Sequence, residues 1–143
     1  MIGIFDFDMT TGITQGKETA SLSQFINPEI AVPDILSAKP TTLTKNRLTR
    51  YKKVYILTAR AGGKNGEMRK ALKKYFMQNG LYIPNSQIIT AGDFGKNIPT
   101  AQKKQIILDS ITRVYKQTVH FYDDDTNNVE YAKSVNWVKA FQV

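Results

Sequence analysis

Short apolar, β-prone runs alternate along this chain with segments whose apolar residues recur at helical spacing. That alternation constrains the fold more than any other feature. Residues 2–7 (Ile-Gly-Ile-Phe-Asp-Phe), 53–58 (Lys-Val-Tyr-Ile-Leu-Thr), 87–91 (Gln-Ile-Ile-Thr-Ala), 117–122 (Gln-Thr-Val-His-Phe-Tyr) and 135–141 read as strands. Between the second and third, residues 66–79 set Met68, Leu72, Tyr75 and Phe76 on one helical face and stop at Gly80. Pro99-Thr100 opens another helix, with Ile106, Ile107, Ile111 and Val114 expected on one side, and residues 126–134 read as a short third one. Strands separated by helices pair in parallel through right-handed crossovers. The expected fold class is therefore α/β.

At 143 residues the chain has the length of one domain, residues 1–143, and can bury roughly two-thirds of its unfolded surface. Its 41% hydrophobic and 22% charged residues are an ordinary globular mixture. The expected architecture is a three-layer, Rossmann-like parallel sheet with helices on both faces. Residues 11–50 depart from the alternation. They are rich in Thr, Ser, Gln and Lys, and Pro28, Pro33 and Pro40 are expected to break any long helix. Too long for a simple loop, this stretch is expected to form a small hairpin-plus-helix insertion, a minimal cap near one end of the sheet. No cysteine is present, so disulfides and thiolate metal sites are excluded. The first residues do not have the pattern of a signal peptide, and no apolar run nears the roughly 18 residues that span a bilayer. A cytoplasmic setting is expected.

Ligands of open α/β sheets bind beyond the carboxyl ends of the strands. Here those ends carry Asp6 and Asp8, then Thr58 and Arg60, then Asp123, Asp124 and Asp125. Asp6 and Asp8 share side-chain parity on an extended chain, while Phe7 points the other way. Taken singly, an Asp pair after a strand reads as a turn, and Asp125 before Thr126-Asn127-Asn128 reads as a helix cap. Taken together, at successive strand ends, they read as a site. Carboxylates crowded in this way repel unless a hard cation lies among them, and oxygen ligands suit magnesium.

These residues resemble the haloacid dehalogenase-like (HAD) superfamily of phosphohydrolases. Asp6-Phe7-Asp8-Met9-Thr10 is similar to its first motif, Asp-x-Asp-x-Thr, with Met9 where many members have Gly and Thr11-Gly12 in place of the usual hydrophobic continuation. Ile56-Leu57-Thr58 is similar to the second motif. Thr100-Ala-Gln-Lys-Lys104 supplies a helix-start lysine, and Phe121-Tyr122-Asp123-Asp124 ends a strand in adjacent acids. The resemblance implies a magnesium-dependent phosphatase in which Asp6 is the nucleophile and Asp8 the general acid and base. It implies that Thr58 and a lysine hold the phosphate oxygens, with Lys104 preferred by spacing and Lys103 as its rival. Magnesium would be held by Asp6, the backbone carbonyl of Asp8 and a later acid, Asp124 directly or Asp123 through water. Arg60 is either a contact to the substrate or a surface loop residue. His120, Trp137 and the aromatics Tyr51, Tyr55, Tyr75, Phe76 and Tyr82 read as packing residues.

The net charge of +8 and a pI near 9.7 attract polyanions. Only about 40 residues separate the first two motifs, which leaves no room for a full cap domain. The layout resembles the phosphatase domain of polynucleotide kinase-phosphatases, so a nucleic-acid 3′ end or a nucleotide is the expected substrate. A small-metabolite phosphatase and a catalytically inert HAD-like binding protein are the alternatives.

Overall fold

The structure is a computed structural model of the chain and describes residues 1–14 and 27–143. In chain order it contains β1 (Ile2–Phe5), β2 (Gly12–Ile13), α1 (Pro28–Leu36), β3 (Lys39–Pro40), α2 (Thr42–Asn46) and β4 (Lys53–Thr58). There follow α3 (Glu67–Gln78), β5 (Ile88–Thr90), α4 (Thr100–Tyr115), β6 (Val119–Asp123), α5 (Thr126–Lys133) and β7 (Val138–Gln142). Five strands form one sheet in the order β5-β4-β1-β6-β7, and every neighbouring pair is parallel.

Strand alternation sorts the apolar residues into two layers. Ile2, Ile4, Tyr55, Leu57, Val119 and Phe121 face α4 and α5, where Leu108, Ile111 and Ala132 complete the packing. Phe5, Ile56 and Tyr122 face the other way and join Met68, Leu72, Tyr75 and Phe76 of α3, with Ala31 and Ile35 of α1. The sheet is therefore covered on both faces, and each strand of its centre is apolar on both sides, as parallel sheets require. Right-handed connections explain the sorting. The chain steps from β1 through β4 to β5 with its helices on one face; it then crosses back to β6 and β7, which puts α4 and α5 on the other.

Three packing expectations are corrected. The buried stripe of α4 is Ala101, Lys104, Leu108, Ile111 and Thr112, whereas Ile106 (51% exposed) and Val114 (75% exposed) face outward. The stripe follows the 3.6-residue period from the site lysine rather than the most apolar residues. Trp137 is half-exposed, with a left-handed φ of 70°, and its carbonyl accepts the Val119 N–H at 2.8 Å. Tyr82 is exposed beneath the Lys73 ammonium. Pro33 lies inside α1, a helix of nine residues whose first turn Pro28 opens and Asn27 caps, and the described residues up to 50 hold no long helix.

Part of the stretch expected as an insertion, residues 15–26, lies outside the described residues. The rest contains the antiparallel pair β2–β3, both short helices and a 3-10 turn at Leu48–Arg50. Among the described residues no helix is long and apolar enough to cross a membrane.

Candidate functional site

β1 and β6 are neighbours whose onward connections run in opposite directions, so the crevice at their carboxyl ends is the topological switch point of the sheet. Phe5 and Tyr122 are in register, and the Asp6 N–H donates to the Tyr122 carbonyl at 2.9 Å. The pairing thus carries Asp6 and Asp123 side by side to the crevice. Beyond Asp6 the chain turns tightly: the N–H groups of Thr10, Thr11 and Gly12 all donate to the Phe7 carbonyl. Met9 adopts a left-handed φ of 64° in this turn, a region that disfavours side chains with a Cβ. Gly12 is required for a different reason. A Cβ there would sit 2.5 Å from the Phe7 ring, which is itself fully buried.

Lys104 reaches the crevice from the first turns of α4. It is 1% exposed, and its ammonium donates to Asp6 Oδ1 and Asp123 Oδ2, each at 2.8 Å. Burial pushes its pKa down, but the two carboxylates outweigh that and hold it above the usual lysine range. Lys103 lies outside this cluster, partly exposed on the preceding helical position. Asp123 also accepts from Asn128 Nδ2 at 3.0 Å and from the Asp125 N–H at 2.9 Å. Burial works to raise its pKa; Lys104 and these donors prevail, leaving it below the usual carboxylate value. Asp6 behaves oppositely. Burial, then the charges of Asp123 and Asp8, lift its pKa well above the usual value despite Lys104.

Thr10 connects the remaining acid. Its hydroxyl lies 3.1 Å from Asp6 Oδ2 and 3.2 Å from Asp124 Oδ1, and it accepts the Asp124 N–H at 3.1 Å. Asp125 caps α5 by accepting the Asn128 N–H, as its sequence position suggests. One oxygen from each of Asp6, Asp123 and Asp124 lies within 4.8 Å of the others. Three hard oxygen donors at this spacing could hold a hard metal cation, while no softer ligand is among them.

Asp8 is not aimed at that cluster. Arg60 grips it with two bonds, Nε to Oδ2 at 3.0 Å and Nη2 to Oδ1 at 2.7 Å, and the Thr14 hydroxyl donates to Oδ1. The same Nη2 donates to Asp34 on α1 at 2.8 Å. Arg60 is fully buried, so it is not a surface loop residue. Burial disfavours its charge, but Asp8 and Asp34 outweigh burial and keep it protonated. Thr58 enters the same network, because its buried hydroxyl accepts the Arg60 N–H at 3.1 Å.

The cluster accordingly joins Asp6, Lys104, Asp123 and Asp124, with Asp8, Thr58 and Arg60 in an adjoining network. Thr14, Asp34 and Asn128 are members that reading the sequence for sites misses. Asn128 had a local signal, three residues after the Asp125 cap. Asp34 and Thr14 had none, since their partners are far along the chain or across a turn.

Fold and site define an α/β protein with a buried lysine–carboxylate cluster at the switch point of its sheet. Comparison with protein-family models and with curated proteins finds no match to the chain.

Proposed function

We propose that this chain is a magnesium-dependent phosphomonoesterase of the HAD type, acting through an aspartyl-phosphate on a nucleic-acid 3′ end or a nucleotide. The observation that carries the reading is the buried Lys104 bridge between Asp6 and Asp123. Three separated segments meet there, in the order of the motifs they resemble, and Thr58 of the remaining motif lies in the adjoining network.

In this reading an Asp6 carboxylate oxygen attacks phosphorus, a bond from Asp6 to phosphorus forms, and the bond from phosphorus to the leaving oxygen breaks. Asp6 needs no base, because its reactivity comes from position and from the loss of water around it. Asp8 accepts on both oxygens here. It takes up a proton from solvent as it leaves a present partner, gives it to the leaving oxygen, and then accepts one from the water that cleaves the aspartyl-phosphate. To do so it exchanges one of its present partners, and the neutral Thr14 hydroxyl is held less strongly than the charged Arg60 fork. Lys104 stabilises negative charge on the phosphate oxygens, having been held at the nucleophile by Asp6 and Asp123. Magnesium, bound by Asp6 and Asp124 with Asp123 beside them, would supply positive charge against the phosphate oxygens. The nucleic-acid substrate rests on the +8 charge and on the small size of the segment between the first two motifs.

The test is hydrolysis of an aryl phosphate with magnesium by the wild-type chain and by Asp6→Asn. Loss of at least a thousandfold in the variant is expected; equal rates would remove Asp6 from the mechanism. Rates on a 3′-phosphorylated oligonucleotide, a mononucleotide and a sugar phosphate then separate the substrate classes.

A further inference from the structure

The sheet carries a row of three stacked rings that the proposed chemistry does not use. Phe5, Tyr122 and Phe141 are in register on β1, β6 and β7. Their rings are near-parallel, with centroids 4.8 and 4.9 Å apart and planes inclined by 3° and 19°. Burial falls along the row, from a fully buried Phe5 through Tyr122 to a partly exposed Phe141. β7 is the edge strand, so the row runs out at the border of the sheet. α5 packs against β7 through Val138 and Ala140, on the face opposite the rings. Core packing accounts for Phe5 and Tyr122. Phe141 packs against the same cluster but, at the edge, keeps part of its ring in solvent.

The surroundings of that ring are cationic. The exposed Lys139 ammonium lies 5.7 Å from the Phe141 centroid, and the exposed Arg47 guanidinium reaches to 3.5 Å from the Tyr122 hydroxyl. His120, whose ring lies 5.4 Å from that of Phe141, has its pKa held down by burial and then by Lys139, Arg47 and the amino terminus. The charges of Lys139 and Arg47 therefore both act on one small stretch of sheet. The row also sits one residue below the candidate site, since Asp6 follows Phe5 and Asp123 follows Tyr122. From β1 to β7 is two inter-strand spacings, roughly 10 Å.

We propose that Phe141, with Lys139 and Arg47, is a platform on which a nucleobase of single-stranded nucleic acid stacks, placing the strand's phosphate end toward Asp6. An aromatic face flanked by cations is how sequence-tolerant single-strand binding is built, because every base has a π-face and every nucleotide a phosphate. The concentration of positive charge selects a polyanion over a second copy of this +8 chain. This inference rests on the nucleic-acid reading above and names the surface that would serve it.

Binding of a short fluorescent single strand lacking a terminal phosphate is to be measured by anisotropy at low salt. The proteins compared are wild type, Phe141→Ala, Phe141→Trp, Lys139→Ala and, as a distant control on α3, Lys74→Ala. Phe141→Ala should weaken binding about 5- to 100-fold, and Phe141→Trp should retain it. Lys139→Ala, an exposed change that keeps the fold, should make the salt dependence shallower by roughly one unit of log–log slope and exceed the effect of Lys74→Ala. The ratio of kcat/KM for a 3′-phosphorylated oligonucleotide to that for an aryl phosphate should fall in both Phe141→Ala and Lys139→Ala. If wild type hydrolyses the oligonucleotide but none of these variants changes binding or that ratio, the platform is refuted while the substrate reading stands. If wild type hydrolyses only small phosphates and binds no single strand, both fall. A dimer in sedimentation that Phe141→Ala dissolves would assign the face to a second copy and overturn the proposal.

Discussion

Replacing Lys104 with methionine isolates the interaction on which the site depends. Methionine keeps most of the buried volume but removes an ammonium that makes two hydrogen bonds of 2.8 Å at 1% exposure. Each charge-assisted bond contributes about 1.5–3 kcal/mol, and relief of the buried ammonium's own desolvation reduces their sum. The net expectation is a loss of about 3–5 kcal/mol in metal-free buffer near pH 7.5, the cost found when one partner of a buried pair is removed. The effect must depend on pH. Lys104 opposes the rise in Asp6 and helps to depress Asp123, so without it both carboxyls titrate higher in the folded state. A raised folded pKa gives stability that is present below the unfolded value and lost as pH rises through the folded one. The deficit of the variant should therefore shrink on going from about pH 7.5 to about pH 5. Urea unfolding at both pH values, with and without magnesium, measures all of this. Magnesium should restore part of the loss, since it can take over the charge role of the ammonium at the three carboxylates. Lys103→Met, outside the cluster, should stay within about 0.5 kcal/mol of wild type. A Lys104→Met loss below about 1 kcal/mol, or one that is the same at both pH values, would refute the argument.

Arg60→Lys should lower kcat on an aryl phosphate at least tenfold, by about 1.4 kcal/mol in barrier, with KM little changed, because a lysine cannot reproduce the two-bond fork on Asp8. A raised KM with kcat intact would return Arg60 to the substrate. Met9→Gly should raise the unfolding free energy by about 0.5–1 kcal/mol, the left-handed strain at φ 64° less the extra unfolded-state entropy of glycine; a loss of stability would show that the Met9 side chain matters more than its backbone. His120 has a folded pKa below 6.5, so its contribution is complete above that value and declines as pH falls through it toward the folded pKa. Urea midpoints of wild type should accordingly drop across that window more than those of His120→Gln, and parallel curves would exclude the effect.

The two apolar layers and the set of polar residues at the strand ends were legible in the chain alone. A period of two in Ile2 and Ile4 and in Phe5 and Phe7, and of 3.6 in Met68, Leu72 and Tyr75, is a local record of which side of each element meets apolar neighbours, and it needed no partner to be read. The grouping of Asp6, Thr58 and Asp123 at one edge followed from that, because parallel strands all end on the same side. Register and distance were another matter. That Lys104 rather than Lys103 enters the crevice depends on the rotation of α4, which is set by Leu108 and Ile111 against the sheet and not by the spacing of lysines. That Arg60 links Asp8 to Asp34, and that Trp137 stands half in solvent, depends on contacts between segments tens of residues apart. Such contacts leave no periodicity behind them, so only the folded chain could decide them.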